Sequence, residues 1–401
     1  MNSNFIFIFL IICFEFTQSI PFNSFTQGFL FRSIPFFLLV RPLFIDKIFT
    51  FFDRRLNFLL LFNFICFLSL FWTNNVKYTL ATLGESNLAI ILIIFLFSYV
   101  NSNSRNHYFI VKIVFYTIFI ASLIGIPFLN QSERTIFGLS PSSYSEIAAL
   151  GCVTSVYLYQ IKKNVFYLIS LLLMLLILTQ VSSLRGVFSI ALGSIAYLNY
   201  FQTKNNILFF KKFFILISLI TLTLVLLILF IDFSNYMSFI NGINGNDDWI
   251  VFKILDRLMI NIMYFQHTFN EIIFNNNLDM TNSWGSGLRL SGIVIGIKET
   301  IENNPLLGIG FGNSKDIFLK YGKETYSHNA FVELFIGTGL LGLIPYCYFL
   351  YKTFTRRISE ENIRLINWKR FSSIVFLVFS MFGLPYESFS LSILLGLIIS
   401  L

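Results

Sequence analysis

The chain has 401 residues, of which 56% are hydrophobic and only 12% are charged, and its formal net charge is +8. In a typical soluble domain about a quarter of the residues are charged. Because so few charges cannot cover a surface that faces water, the composition excludes a soluble enzyme, a disordered protein and a nucleic-acid-binding protein. It predicts an all-α polytopic membrane protein embedded in a lipid bilayer.

Apolar runs separated by polar breaks predict about 12 transmembrane helices, since each crossing needs about 20 apolar residues. Each span has to be helical because the bilayer core holds no water that could satisfy an exposed backbone. The predicted spans are residues 4–20, 28–45, 57–72, 86–100, 107–126, 143–160, 165–181, 183–201, 211–233, 328–351, 370–385 and 387–401.

Basic residues are distributed unevenly between the two sides of these spans. If the chain starts inside, the short loops on the other side carry only Lys77 and Arg134. By the positive-inside rule, both termini are then cytoplasmic. The chain divides into a bundle of about nine helices at 1–233, an extracytoplasmic loop at 234–327 and C-terminal transmembrane helices at 328–401.

The segment 234–327 is the one long hydrophilic stretch of the sequence, and loops of this length are usually functional. Within it, four aliphatic residues recur at helical spacing and predict an amphipathic helix from about residue 289 to 303. Asn304 followed by Pro305 is expected to end this helix. The four residues are Leu290, Ile293, Ile297 and Ile301, and we call them the apolar stripe.

His328 stands where this loop re-enters the membrane, beside Asn329 and about one turn before Glu333. A histidine titrates near neutral pH, so it could exchange a proton with a substrate that arrives along the membrane surface. The alternative is that His328 and Asn329 only cap the following helix, a role that asparagine fills well. The residues alone leave both interpretations open.

Two arginines are candidates for binding an anionic substrate. Arg185 lies between two apolar runs, and an arginine at membrane depth usually marks a functional site or a charged partner. The alternative is an arginine that reaches back to the interface from a helix end. Arg289 opens the predicted amphipathic helix, where its charge opposes the helix dipole. Its alternative is an ordinary solvated side chain.

The stretch NNPLLGIGFG, residues 303–312, is called here the glycine loop. It lacks the spacing of a dinucleotide-binding motif, and no predicted strand precedes it. We therefore interpret Gly308, Gly310 and Gly312 as a tight backbone turn. Glycines in the following span, among them Gly339 and Gly342, are expected to allow close helix packing.

Together these segments resemble the O-antigen ligase and O-antigen polymerase superfamily. Its typical motifs are SRG, then R…nPLlGxGxG, then HNxxLxxxxxxGxxG. The last motif is matched by HNAFVELFIGTGLLG from His328, with Val332 at the usual leucine, and the resemblance covers roughly residues 180–350. The sequence departs from the pattern at Leu184, which separates Ser183 from the arginine, and at Ile293, where members often carry tryptophan.

The resemblance implies a GT-C-like membrane glycosyltransferase of the bacterial cytoplasmic membrane that uses a polyprenyl-diphosphate-linked glycan donor and no metal or other cofactor. In that reading Arg185 and Arg289 stabilise the diphosphate leaving group, and His328 acts as base or orienting group. Asn329 and Glu333 would bind substrate or hold the imidazole tautomer.

The acceptor would be a growing glycan for a polymerase, or lipid A core for a ligase, and we slightly favour the polymerase. A chain-length regulator is a further expected partner. A flippase or ion-coupled transporter is a less favoured alternative, because such proteins usually place ionisable residues near mid-membrane. In the spans before residue 328, Glu146 is the clearest carboxylate.

Overall fold

The computed structural model describes residues 53–102, 104–125, 129–130, 135–136, 141–180, 184–197, 207–212, 215–216, 262–272, 285–323, 325–356, 363–386 and 388–401. Its helices are α1 (Arg54–Leu68), α2 (Val76–Ser102), α3 (Ser104–Gly125), α4 (Pro141–Lys162), α5 (Val165–Gln180), α6 (Leu184–Tyr197), α7 (Gly285–Asn303), α8 (Ser314–Leu319), α9 (Ala330–Thr355), α10 (Ile363–Phe382) and α11 (Phe389–Ile399). A 3₁₀ turn at Ser69–Phe71 extends α1, and Leu129–Asn130 pairs with Thr135–Ile136 as two short antiparallel strands, β1 and β2.

The helices coincide with the predicted spans wherever those spans fall within the described residues. The largest difference is α2, which begins at Val76 instead of residue 86, because polar residues such as Lys77 end an apolar run without breaking a helix. The predicted spans 4–20 and 28–45, and most of 211–233, lie outside the described residues.

Four described helices are long and apolar enough to cross a membrane: Arg54–Phe71, Val76–Val100, Ala330–Thr355 and Arg364–Phe382. Shorter apolar helices occur at His107–Ile120, Val165–Leu178, Arg185–Ile195 and Ser390–Ile399. The helix Ser390–Ile399 ends next to the start of α1. The predicted class of membrane protein is therefore supported by the apolar helices, and the number of crossings stays a prediction.

The described residues form two compact units. The first contains the described residues up to 60, those of 84–206 and those of 348–401. In this unit α4 packs against α3 and α5, and α10 packs against α6 and α4. The second unit contains residues 61–83 and the described residues of 207–347.

One end of the first unit shows which helix ends lie side by side. Arg55, at the start of α1, donates from Nη1 to the carbonyl oxygen of Ile399 at the end of α11, at 2.8 Å. Arg364, at the start of α10, donates to the carbonyl oxygen of Gln160 near the end of α4, at 3.3 Å. In each of these two pairs the start of one helix lies beside the end of another, and the membrane topology stays a prediction.

One hydrophobic cluster of the second unit is formed by α7, α8 and the first half of α9. It consists of Ile295, Ile317, Phe318, Val332 and Ile336, and Ile309 of the glycine loop packs against it. The cluster therefore joins the amphipathic helix, the glycine loop and the start of α9, which directly follows the turn that contains His328.

Candidate functional site

Helix α7 carries Arg289 into the second unit. The helix ends at Asn303, immediately before Asn304 and Pro305, as predicted, but it begins at Gly285. Arg289 is therefore the fifth residue of the helix and not its first, so the expectation that its charge opposes the dipole at the very start of the helix was wrong. Its side chain is exposed.

Glycines on α7 bring this helix close to the turn before α9. A Cβ atom built on Gly292 would lie 3.2 Å from the Cα of Ser327, and one on Gly296 would lie 2.5 Å from Cδ1 of Ile336. Arg289 precedes Gly292 by three residues, and residues at this spacing share one face of a helix. Arg289 thus lies one turn beyond the contact with Ser327, at the end of the second unit that holds His328.

His328 adopts a left-handed backbone conformation, with φ of 56°. This region costs a residue other than glycine about 1–2 kcal/mol, so the surrounding structure has to impose it. The imidazole is half-buried, and its centroid lies 4.0 Å from the ring centroid of Tyr326. A strained backbone and an aromatic neighbour together fix where the imidazole can lie.

Asn329 is the residue that caps α9. Its Oδ1 accepts the backbone N–H groups of Phe331, at 3.0 Å, and of Val332, at 3.2 Å. These are the second and third residues of the helix, the pair that an N-cap side chain normally satisfies. The capping interpretation therefore holds for Asn329, and His328 stands one residue outside the cap.

Glu333 lies underneath this turn and is buried, with 6% of its surface exposed. Its carboxylate accepts hydrogen bonds from the backbone N–H of Ser327 and from the hydroxyl group of Ser314. Ser327 in turn exchanges hydrogen bonds with the backbone of Asn329, at 3.1 and 3.3 Å. These contacts make Glu333 a brace that holds the residues on either side of His328.

The glycine loop has the tight turn that its sequence predicts. Gly308, Gly310 and Gly312 have φ values of 68°, 109° and 84°, a region that glycine adopts without steric cost. Its tip is held from the other side by the end of α1. The indole Nε1 of Trp72 donates to the carbonyl oxygen of Leu307 at 3.0 Å, and the Phe311 N–H donates to Oγ of Ser69 at 3.1 Å.

The same loop forms backbone hydrogen bonds with α9 at a point where this helix is interrupted. Gly339 has φ of 60° and ψ of −159°, so the helix is interrupted there. The freed backbone groups pair with the loop in four hydrogen bonds: Ile309 N to Ile336 O at 2.9 Å, Gly310 N to Gly337 O at 3.0 Å, Leu340 N to Pro305 O at 2.9 Å and Leu341 N to Leu306 O at 3.2 Å. Gly339 therefore permits close approach of the glycine loop, where we expected packing between helices.

Arg185 belongs to the first unit, at the start of α6. Its Nη2 lies 2.7 Å from Oε1 of Glu146, and its Nη1 donates to the carbonyl oxygen of Phe382 at 3.1 Å. The guanidinium also lies 5.4 Å from the ring centroid of Phe379. The second carboxylate oxygen of Glu146 accepts the hydroxyl of Ser388 at 2.6 Å.

This charged cluster joins the starts of α4, α6 and α11 to the end of α10. The side chains of Arg185 and Glu146 are 11% and 12% exposed. Arg185 is thus a paired arginine and not one that reaches from a helix end to the solvent. The sequence analysis named both residues but did not predict their contact, because the whole of α5 lies between them in the sequence.

Two serines near His328 were missed by the sequence analysis. Ser314 opens α8 and Ser327 precedes the histidine, and neither stands in a pattern that distinguishes it from other loop serines. Only the buried carboxylate of Glu333 brings them together. Among the residues that the structure describes, no group of three or more His, Cys, Asp or Glu side chains is arranged to hold a metal ion.

Comparison of the sequence with protein-family models and with curated proteins gives no match.

Proposed function

We propose that the protein is a membrane glycosyltransferase that polymerises polyprenyl-diphosphate-linked, O-antigen-type oligosaccharide at the outer face of the bacterial cytoplasmic membrane. The observation that carries this proposal is the assembly of one unit from three segments, which are the helix of Arg289, the glycine loop and the turn of His328. They carry two of the three motifs on which the resemblance to O-antigen ligases and polymerases depends, and the remaining motif, with Arg185, belongs to the first unit.

In the proposed reaction, a hydroxyl oxygen of the acceptor sugar attacks the anomeric carbon of the donor. The bond from that carbon to the phosphate oxygen breaks, and its electron pair leaves with the diphosphate. Arg289 is an exposed cation on α7, and a guanidinium can donate two parallel hydrogen bonds to phosphate oxygens. It would stabilise the charge that develops on the leaving group.

The proton of the attacking hydroxyl needs an acceptor, and His328 is the proposed one. A positioned imidazole typically accelerates such a step by about 10²–10⁴-fold. Glu333 and Asn329 do not need to touch the substrate for this role. In the proposal they fix the backbone on both sides of His328, through Ser327 and through the helix cap.

Arg185 is retained as a second diphosphate-binding arginine, as the resemblance implies. Glu146 would then set the orientation of its guanidinium, because the pair leaves the remaining N–H groups of Arg185 in a fixed plane. The first-unit arginine can be tested alone through Arg185→Lys.

Carbohydrate analysis of a strain that lacks the protein tests the proposed activity. Loss of a polymerase leaves single repeat units on the acceptor core, whereas loss of a ligase leaves full-length chains on the carrier lipid. Loss of a flippase leaves repeat units that face the cytoplasm. Single units on the core would support the polymerase, and either of the other patterns would replace it.

A further inference from the structure

The apolar stripe of α7 lies on the outside of the second unit. Ile297 is 37% exposed and Ile301 is 57% exposed, and Leu290 and Ile293 are half-buried. The face of α7 that packs inward contains Gly292 and the fully buried Ile295 instead. Ile293 packs against the core cluster of the second unit, so the exposed part of the stripe is its C-terminal half, Ile297 and Ile301.

The charges of α7 are separated from the stripe around the helix. At 100° per residue, Lys298 and Glu302 lie together on one side of the stripe, and Arg289 lies on the other. All three are exposed. A helix with an exposed aliphatic face bordered by charges is typical of a helix at the boundary between lipid and water.

The stripe continues into the surface of a candidate membrane span. Leu306, just after α7, is 58% exposed, and its carbonyl oxygen accepts the backbone N–H of Leu341 at 3.2 Å. Leu341 and Ile344 belong to α9 and are 48% and 59% exposed. Leu306 therefore lies beside exposed aliphatic side chains of a helix that is apolar and long enough to cross a bilayer.

The aromatic residue next to this junction has the chemistry of a membrane interface. Trp72 follows the candidate span Arg54–Phe71 and donates its indole N–H to the carbonyl oxygen of Leu307. Tryptophan is enriched at the boundary between headgroups and acyl chains, where one side of the ring is wet. This contact joins the glycine loop to the residue that directly follows the candidate span.

We propose that the apolar stripe of α7 is immersed in the acyl chains of bilayer phospholipid, in the leaflet that borders the His328 end of α9. The occupant of this surface is ordinary membrane lipid, and not a second copy of the chain or a soluble partner. The charged residues beside the stripe would then lie among the headgroups. This inference does not depend on glycosyl transfer.

Site-specific photocrosslinking tests the proposal in the full-length chain. The photoreactive amino acid p-benzoylphenylalanine is placed at Ile301 in one variant and at Glu302 in another, and each protein is reconstituted in vesicles of radiolabelled phosphatidylethanolamine and phosphatidylglycerol. Ile344, on the candidate span, provides the positive control. We expect labelled phospholipid adducts at residues 301 and 344, and severalfold less at residue 302.

Two outcomes would overturn the proposal. Equally low lipid labelling at residues 301 and 302, far below the labelling at residue 344, would show that the stripe faces water. A crosslinked dimer or another protein adduct from residue 301 would show that protein covers it. If the variant at 301 does not insert into membranes, the same comparison is made between Ile297 and Lys298, which lie in the same two sectors of the helix.

Discussion

At the scale of single residues, the turn before α9 assigns the role of helix cap to Asn329 and not to His328. The sequence alone left open whether the pair caps the helix or His328 exchanges a proton with a substrate. Asn329 supplies the helix cap, with both of its accepted bonds directed to the first turn. His328, one residue earlier, contributes an imidazole from a backbone conformation that disfavours side chains. Substitutions can therefore test the cap and the imidazole independently.

We predict that His328→Gly abolishes glycan transfer and leaves the protein folded. Glycine removes the imidazole, which should cost about 10²–10⁴-fold in rate, and it also relieves about 1–2 kcal/mol of backbone strain. The checks are transfer by purified protein and thermal unfolding. Asn329→Ala is the matched control, since loss of the cap should lower stability by about 1 kcal/mol. Wild-type transfer by His328→Gly would end the catalytic assignment.

Arg289 offers a second prediction at this scale. Arg289→Lys keeps the charge but replaces a planar fork with a point charge. The loss of a charge-assisted hydrogen bond is worth about 1.5–3 kcal/mol, so transfer should fall about ten- to a hundredfold. Lys298→Ala, an exposed cation on the same helix, is the control and should retain activity. Full transfer by Arg289→Lys at normal abundance would make the residue an ordinary surface arginine.

At the scale of elements, the break in α9 depends on one glycine. A Cβ atom at Gly339 would lie 2.3 Å from the carbonyl carbon of Leu306, and φ there is 60°. We predict that Gly339→Ala separates the glycine loop from α9 and sharply lowers the yield of folded protein. Gly84→Ala is the control, because nothing lies within 4 Å of a Cβ at that helical position. It should be neutral or stabilising, as judged by size-exclusion chromatography and thermal unfolding.

The end of α7 contains a pH-dependent contact outside the candidate spans. The Tyr321 hydroxyl donates to Glu299, and this hydrogen bond lowers the carboxyl pKa of Glu299 against the opposing effect of burial, with Lys320 adding to the lowering. Burial, the same hydrogen bond and the charges of Glu299 and Glu302 together raise the pKa of Tyr321 to about 12.

A lowered carboxyl pKa means that the contact stabilises the folded state above the ordinary glutamate pKa and is lost as pH falls through the folded value. We predict that Tyr321→Phe reduces this acid-dependent part of the stability. Thermal unfolding in detergent would be measured at neutral pH and below the ordinary glutamate pKa. The variant should be less stable than wild type at neutral pH, and the difference should shrink in acid. A constant difference would contradict the linkage.

The ends of elements also show where sequence reasoning stops. The sequence analysis places the start of the helix of Arg289 four residues too late, because the apolar stripe that predicts the helix begins only at Leu290. In the structure a Cβ at Gly287 would lie 2.2 Å from Oγ1 of Thr268 and 2.8 Å from the carbonyl oxygen of Tyr264. The glycine is needed for close packing against another helical segment, and that tertiary contact outweighs its low helix propensity.

At the scale of the whole molecule, composition alone indicates the membrane class, since the ratio of charged to apolar residues does not depend on the fold. The turn at the glycine loop was likewise visible as a local pattern. The pairing of Arg185 with Glu146, and the hydrogen bond from Ser314 to Glu333, were not. Such contacts depend on how helices distant in sequence are arranged, and a pattern of local spacing carries no information about that arrangement.

The orientation of the whole molecule gives the last prediction. Reporter fusions after residues 105, 163, 206 and 360 should report a cytoplasmic location, and fusions at about residues 246 and 276 should report an external one. The reason is the excess of Lys and Arg on one side of the spans. An external signal at residue 360 would invert the orientation and put His328 on the cytoplasmic side.

The loop that bonds to the break in α9 also bears on how the chain is made. A span with broken backbone pairing is costly in lipid, because each free N–H or C=O group there is worth several kcal/mol. The glycine loop precedes α9 in the sequence, so a ribosome has already synthesised those bonding partners when the broken span enters the membrane. Because synthesis runs from the N-terminus, the glycine loop is made before the broken part of α9. In the opposite order, the unpaired backbone groups of α9 would meet lipid before their partners existed.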